Sequence, residues 1–217
     1  MNFEINAVLS LSVGIGAVIG WIRLRKADPV FFPFILLLTA GFFTETVSII
    51  LMKKGYSNVL LYNIFSLSEA VIIVWQFKKW KFLGKKIMLY YLIQVLFLVS
   101  WVTEFILRGG FSQFFSYFIV GYSTIIVYMA IGIINDVIFK EPTPLLLNPL
   151  FLICMGLIIY FTYMALIEIF WIYGLNRSSA FRISVYNIFA FINLFTNLLF
   201  AFATLWIPMK RQYILLS

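Results

Sequence analysis

The chain has 217 residues, of which 64% are hydrophobic and only 11% are charged, and its mean hydropathy is +1.04. A water-soluble domain carries about 25% charged residues, so this composition predicts an all-α integral membrane protein with one domain spanning residues 1–217. The chain has no histidine and one cysteine, Cys154, which excludes histidine-based catalytic triads, the commonest metal ligand and an intramolecular disulfide.

Seven apolar segments are long enough to cross a bilayer, which takes about 20 helical residues. They cover residues 5–22, 30–52, 58–77, 87–107, 112–135, 146–172 and 182–207. Short polar stretches separate them, such as RLRKADP after the first and KKWKFLGKK after the third. The first segment lacks a basic leading region and a small-residue cleavage site, so we interpret it as a retained span rather than a signal peptide.

Lysine and arginine are divided unequally between the two sets of loops. The loops after spans 1, 3, 5 and 7 contain eleven of the 16 basic residues, and the opposite set contains five. Because the richer set usually faces the cytoplasm, we expect the N-terminus outside and the C-terminus in the cytoplasm. The protein is then a multi-pass protein of a cell membrane, taken as the bacterial inner membrane. Charges divided among loops form no groove for nucleic acid.

Four carboxylates lie inside the predicted spans, namely Glu45, Glu69, Glu104 and Glu168. An acidic side chain in a membrane span is costly and marks a candidate functional site. With a rise of about 1.5 Å per residue, all four lie in the outer half of the membrane or near its middle. They predict a polar cavity open to the outside. For Glu104 and Glu168 the alternative is an ion pair at the rim, with Arg108, Arg177 or Arg182.

Polar and aromatic side chains recur at helical spacing in several spans, so each such span presents them on one face. In the fifth span we expect this face to hold Tyr117, Gly121, Thr124 and Tyr128. The residues predicted to bind a ligand or to couple protons are Glu45, Tyr62, Asn63, Ser66, Glu69, Trp101, Glu104, Glu168, Tyr186, Asn187, Asn193 and Asn197. For the asparagines, the alternative is hydrogen bonding between helices.

The tetrapeptide YNIF occurs at residues 62–65 and again at 186–189, in spans 3 and 7. These two spans run in the same direction, and Glu45 and Glu168 precede the two tyrosines by 17 and 18 residues. This spacing predicts a parallel duplication of three helices around a connecting fourth, a 3+1+3 plan. The alternative is a rhodopsin- or receptor-like bundle without a repeat. A retinal protein is disfavoured because no lysine lies in the middle of span 7.

The segments LYNIFSLSEA, LLLNPLFLICMGLIIYF and YNIFAFINLFTNLLFAFA resemble those of a family of bacterial seven-helix integral membrane proteins of similar length. The resemblance covers nearly the whole chain and implies the seven-helix fold, with no activity attached. The 3+1+3 plan is similar in layout to that of SWEET-like sugar carriers and nicotinamide riboside carriers. The Pro-Gln pair that marks the PQ-loop group does not occur in this chain.

These patterns favour a non-enzymatic membrane protein with an outward-facing polar cavity, acting as a sensor, a receptor-like protein or an accessory subunit. The alternative is a small-molecule carrier that is proton-coupled through Glu45 and Glu69. A carrier needs a polar path to the inner side, for which Gln76 and Asn135 are the deep candidates. An intramembrane enzyme is less favoured, because the sequence has no nucleophile–base pair, metal cluster or phosphate-binding loop.

We expect neither a cofactor nor a metal. The expected partners are the lipid bilayer and a small-molecule or lipid ligand in the cavity. A protein partner is expected at the basic cytoplasmic loop from Lys78 to Lys86 and at the C-terminus. The loop contains five lysines together with Trp80 and Phe82, so anionic lipid is the other molecule that it is suited to contact.

Overall fold

The computed structural model describes residues 3–84, 86–140, 144–173 and 178–209. Its helices are α1 (Phe3–Leu11), α2 (Val13–Arg23), α3 (Phe32–Lys53), α4 (Val59–Lys79), α5 (Ile87–Arg108), α6 (Ser116–Lys140), α7 (Pro149–Ile172) and α8 (Ser179–Trp206). Single turns of 3-10 helix, Pro29–Phe31 and Leu145–Leu147, precede α3 and α7. Each of these turns lies next to a proline, where a missing backbone N–H costs least.

Seven spans in the described ranges are long and apolar enough to cross a membrane. The helices α1 and α2 together form the first span, and α3 to α8 form the other six. This confirms the predicted all-α, multi-pass, seven-helix membrane protein. The fifth span begins at Ser116 rather than at residue 112, because the chain before it is held by a side chain of α4, as described below.

Because short loops join the spans, successive spans run in opposite directions and the bundle has two faces. We call N-face the one that contains the start of α1 and residues 54–58 and 109–115. We call C-face the one that contains residues 24–28, 80–84, 86 and 207–209. These names describe the molecule alone.

The spans form a ring with one helix outside it. In the ring, α2 packs against α3 and α8, α4 packs against α3 and α6, and α7 packs against α6 and α8. The helix α5 contacts α4 and α6, and its buried residues are Phe97 and Glu104. Most of α5 therefore faces the lipid.

The ring is closed at the C-face by Arg23 at the end of α2. Its guanidinium donates hydrogen bonds to the carbonyl oxygens of Leu205 and Ile207 at the end of α8. The backbone N–H of Asp28 donates to the carbonyl of Pro208 at 2.9 Å. The last carbonyl groups of a helix have no partner inside that helix, so a cation at this position stabilises the end of α8.

The C-face half of the bundle is a packed apolar core. Phe34, Ile73, Phe77, Ile126 and Ile153 are each no more than 2% exposed. Phe34 meets Phe200 edge to face, with ring centroids 5.4 Å apart. Dense packing of this kind leaves little room for water between the helices.

The two deep polar candidates do not form a path through this core. The side chain of Gln76 accepts a hydrogen bond from the N–H of Phe34 and donates one to the carbonyl of Val30, each at 2.8 Å. It thus satisfies backbone groups at the start of α3 that have no helical partner. Asn135 is exposed on the outside of the bundle.

The predicted polar face of the fifth span was wrong. Tyr117 is 62% exposed and Tyr128 is 75% exposed, so that face points away from the protein. The face that packs inward holds Tyr122, Ile126 and Met129, each no more than 3% exposed. The error has a physical cause: α6 is apolar all round, so helical periodicity alone cannot tell its lipid-facing side from its protein-facing side.

Candidate functional site

A cavity of about 340 Å³ lies in the N-face half of the bundle, between α1, α3, α4, α6, α7 and α8. A smaller lobe of about 60 Å³ continues from it toward the middle of the bundle. Ser10, Glu45, Glu69, Tyr160 and Asn193 line both lobes. The smaller lobe also touches Val13, Leu38, Asn197 and Phe200, and the apolar core of the C-face half begins there.

Three of the four predicted carboxylates line this cavity: Glu45 from α3, Glu69 from α4 and Glu168 from α7. Tyr62 donates its hydroxyl hydrogen to Oε1 of Glu45 at 3.0 Å. Tyr122 donates to Oε2 of Glu69 at 2.8 Å. Two helix pairs, α3–α4 and α4–α6, are therefore each joined by a tyrosine–glutamate hydrogen bond at the cavity wall.

The carboxylate of Glu168 has a different environment. Its side chain is 6% exposed, and Oε2 has no hydrogen-bond partner among the described residues. The hydroxyl of Ser116 lies within hydrogen-bonding reach of the carboxyl group. Leaving a buried carboxylate oxygen without a donor costs free energy, so Glu168 lines the cavity with one acceptor atom unsatisfied.

The predicted rim ion pairs occur for one of the two carboxylates. Glu104 Oε1 lies 3.4 Å from Nη2 of Arg108, one helical turn away. Within the described ranges Glu168 forms no ion pair with Arg108 or Arg182. The third predicted partner, Arg177, lies outside the described residues.

Tyrosines from four helices line the cavity: Tyr62, Tyr122, Tyr160 and Tyr186. Tyr62 and Tyr186 were predicted from the sequence, and Tyr122 and Tyr160 were missed. The residues one turn from Tyr122 on either side are all apolar, and of those around Tyr160 only Tyr163 is not. The sequence reasoning also missed Asn6 and Ser10, which α1 contributes to the wall, because they lie near the edge of the first predicted span.

Asn193 and Asn197 lie one turn apart on α8, at the end of the cavity that is nearer to the C-face. Asn197 donates from Nδ2 to Oδ1 of Asn193 at 3.2 Å and to the hydroxyl of Ser12 at 2.9 Å. Ser12 is the residue at which the first span breaks into α1 and α2. Asn197 therefore stabilises the break between α1 and α2 through its bond to Ser12, while Asn193 lines the larger lobe of the cavity.

Ser66 also faces the cavity, yet its hydroxyl already donates to the carbonyl of Asn63 at 2.9 Å. Such a bond within one helical turn is a common way for serine to satisfy its hydroxyl inside an apolar helix. Ser66 therefore lines the cavity, but its hydroxyl hydrogen is already donated to the backbone and is not available to a ligand.

Glu104 does not line the cavity, and the structure gives it another role. Its Oε2 accepts the backbone N–H of Phe118 at 2.7 Å, and its Oε1 accepts that of Tyr117 at 3.3 Å. The first N–H groups of a helix have no partner inside it. A carboxylate from α5 therefore caps the start of α6, where the helix dipole also favours negative charge.

Asn63 and Trp101 are likewise structural. Asn63 is 0% exposed. Its side chain donates to the carbonyl of Gln113 at 2.9 Å and accepts the N–H of Phe115 at 3.1 Å. Trp101 donates from Nε1 to the carbonyl of Asn63 at 2.8 Å. The two bonds of the Asn63 side chain fix the loop between α5 and α6, and the Trp101 bond joins α5 to α4. Neither side chain lines the cavity.

The two YNIF copies occupy different environments. In the first copy Tyr62 bonds to Glu45 and Asn63 is buried. In the second copy Tyr186 is 43% exposed and accepts a hydrogen bond from Nε1 of Trp171 at 2.8 Å, and Asn187 is half-buried. Asn187 lines a depression of about 320 Å³ on the surface, to which Asn6 and Tyr186 also belong. These two shared residues connect the depression to the cavity.

No group of three acidic or cysteine side chains in the described ranges is arranged to hold a metal ion. Glu45, Glu69 and Glu168 are therefore spread around the cavity rather than clustered at one point. Together the fold and the cavity define a multi-pass α-helical membrane protein with a polar chamber in one half of its bundle. Comparison with protein-family models, curated proteins and solved structures finds no match for this chain.

Proposed function

We propose that this protein binds a small molecule in the N-face cavity and acts as a receptor-like sensor or as an accessory subunit of a membrane complex. The observation that carries the proposal is a cavity of about 340 Å³ in the N-face half of the bundle, in which three carboxylates line a largely apolar and aromatic wall. The C-face half of the bundle is filled by apolar packing. Concave sites of this size, lined by apolar and aromatic groups with a few convergent polar ones, are typical of small-molecule sites.

In this proposal the N-face lies outside the cell, and the protein resides in a bacterial inner membrane. The larger number of lysine and arginine residues in the loops of the opposite face supports this orientation. Ligand then reaches the cavity from outside. The surface depression that shares Asn6 and Tyr186 with the cavity gives it a route of entry.

A signal leaves through a protein partner at the C-face in this proposal. The basic loop contributes exposed lysines, Lys79, Lys81 and Lys86. Its aromatic residues point inward: Phe82 meets Phe77 with ring centroids 5.9 Å apart, and Trp80 meets the same ring at 5.5 Å. The attraction for a partner is therefore electrostatic. The C-terminal end from residue 210, the other predicted partner surface, lies outside the described residues.

A panel of small metabolites tests ligand binding. We expect at least one member to raise the melting temperature of the purified wild-type protein and to have a reduced effect on Glu69→Gln. The glutamine can still accept the hydrogen bond of Tyr122, so the fold should be retained. The matched control is Glu4→Gln, which makes the same change at an exposed N-face site. If no compound distinguishes Glu69→Gln from the wild type, the site proposal is wrong.

One observation favours a carrier as the second candidate. The first span is interrupted at Ser12, beside the smaller lobe, and interrupted helices next to a central site are typical of secondary transporters. In that case Glu45 and Glu69 take part in proton coupling. Uptake of the stabilising compound into proteoliposomes, driven by a proton gradient, supports the carrier, whereas binding without uptake supports the sensor.

A further inference from the structure

The cavity has an unbalanced set of charged groups. Three carboxylates line it, and neither lobe is lined by a lysine or arginine of the described residues. The nearby base Arg108 is already engaged, since it donates to Oε1 of Gln113 at 2.6 Å and to Glu104 at 3.4 Å. Arg182 lines the adjoining depression rather than the cavity. An anionic ligand would meet carboxylates without a compensating cation, and a cationic ligand would meet favourable charge.

Glu168 is where a cationic group fits best. Glu45 and Glu69 each accept a tyrosine hydroxyl, whereas Oε2 of Glu168 is buried and lacks a partner. An ammonium group has up to three N–H donors and no acceptor. An ammonium group that contacts the carboxyl group of Glu168 in the cavity wall would supply the kind of donor that Glu45 and Glu69 already have, and hydrogen bonds between ionised partners are stronger than those between neutral ones.

The rest of the wall suits an apolar or aromatic body. Met164 and Ile167 lie within one turn of Glu168 on α7, and Phe114 and Phe189 face the same cavity. Phe189 packs against Tyr160 with ring centroids 5.8 Å apart. Aromatic faces attract cations, and apolar walls hold the uncharged part of a ligand. A volume of about 340 Å³ limits the ligand to a small molecule.

We propose that the cavity binds a small organic amine with an apolar or aromatic body, and that its ammonium group contacts Glu168. This inference rests on the proposed function, because it names the class of ligand for the same cavity. Neutral and anionic molecules of equal shape are the competing classes.

The test compares three molecules that share one phenylbutyl body and differ only in the head group: 4-phenylbutylamine, 4-phenylbutanol and 5-phenylpentanoate. Each is added to the purified full-length protein, and both the melting temperature and the dissociation constant are measured. We expect the amine alone to raise the melting temperature. We expect Glu168→Gln to weaken amine binding about thirtyfold or more, the loss that removing one partner of a buried, hydrogen-bonded charge pair typically causes, and Glu4→Gln to leave it unchanged.

The possible results distinguish failure of the amine assignment from failure of the proposed function. Equal or tighter binding of the alcohol or the acid overturns the amine assignment, and so does unchanged amine affinity in Glu168→Gln or an amine that fails to bind. Each leaves the proposed function to be decided by the metabolite panel with Glu69→Gln. Should Glu168→Gln fold poorly, Ala190→Phe replaces it. This change fills the cavity beside Phe189 without altering any charge, and retained amine affinity there likewise overturns the assignment.

Discussion

Oε2 of Glu104 on α5 accepts the backbone N–H of Phe118 on α6 at 2.7 Å. This bond separates the four intramembrane carboxylates into two kinds. Glu104 holds the peripheral helix α5 to the start of α6, while Glu45, Glu69 and Glu168 line the cavity. A carboxylate within a span therefore serves structure in one case and forms the candidate site in the other three.

Removing the cap should destabilise the protein without affecting the cavity. We expect Glu104→Ala to cost about 1 kcal/mol, the usual loss when a helix cap is removed. Glu104→Gln should cost less, because an amide oxygen still accepts a hydrogen bond. The melting temperature of each variant in detergent gives the measurement, and Glu4→Gln is the control. A Glu104→Ala protein as stable as the wild type would show that the cap contributes nothing.

The same substitution in the two YNIF copies should have unequal effects. Asn63→Ala leaves the N–H of Phe115 without its partner, and an unsatisfied buried group costs about 1–3 kcal/mol. Asn187→Ala, at a half-buried position, should change stability by no more than about 0.5 kcal/mol. Thermal unfolding of the two variants side by side measures the difference. Equal losses would mean that the two copies play equivalent structural roles.

Two glycines in neighbouring helices make a matched pair for packing. A Cβ at Gly156 of α7 would lie 2.5 Å from the Phe200 ring, whereas one at Gly121 of α6 would meet nothing within 4 Å. Phe200 is 7% exposed and is held by Phe34, so it has little room to move. We expect Gly156→Ala to cost about 1–3 kcal/mol.

Gly121→Ala should be neutral or stabilise the protein by up to about 1 kcal/mol, because alanine favours a helix more than glycine does. Denaturation of both variants in the same detergent checks the contrast. A Gly121→Ala variant that loses as much stability as Gly156→Ala would indicate that this part of α6 is covered in the membrane-embedded protein.

The orientation can be tested with introduced cysteines, because the native Cys154 is 0% exposed and should react little. We expect Tyr56→Cys at the N-face to react with a membrane-impermeant maleimide in intact cells. Lys86→Cys at the C-face should react only after the membrane is permeabilised. The positive-inside rule gives this direction, and the reverse pattern of labelling would invert the proposed topology.

The sequence was most informative where one face of a helix differs from the other. Tyr62, Ser66 and Glu69 share a helical face, and the structure places all three at the cavity. On α6, which is apolar all round, periodicity favoured Tyr117, while the inward residue is Tyr122. Spacing within a span could not show which face of this helix meets its neighbours.

Long-range backbone contacts explain the remaining differences. Glu104 bonds to an N–H that lies 14 residues further along the chain, and Asn63 bonds to one 52 residues away. Gln76 accepts the N–H of Phe34 at the start of α3, a residue that precedes it by 42 positions in the chain. A polar residue inside a span predicts that some partner exists. Whether the partner is a ligand or an uncapped helix end depends on how the helices are arranged around it.

The measurement that tests the central claim most directly is native mass spectrometry of the purified protein beside its Ala190→Phe variant. Ala190 lines the cavity, and a phenylalanine there occupies the space of the ligand without changing a charge or a hydrogen bond. We predict a bound small molecule on the wild type that is missing from Ala190→Phe. A wild-type protein without a bound molecule, or the same adduct on both proteins, would contradict the assignment of this cavity as a ligand site.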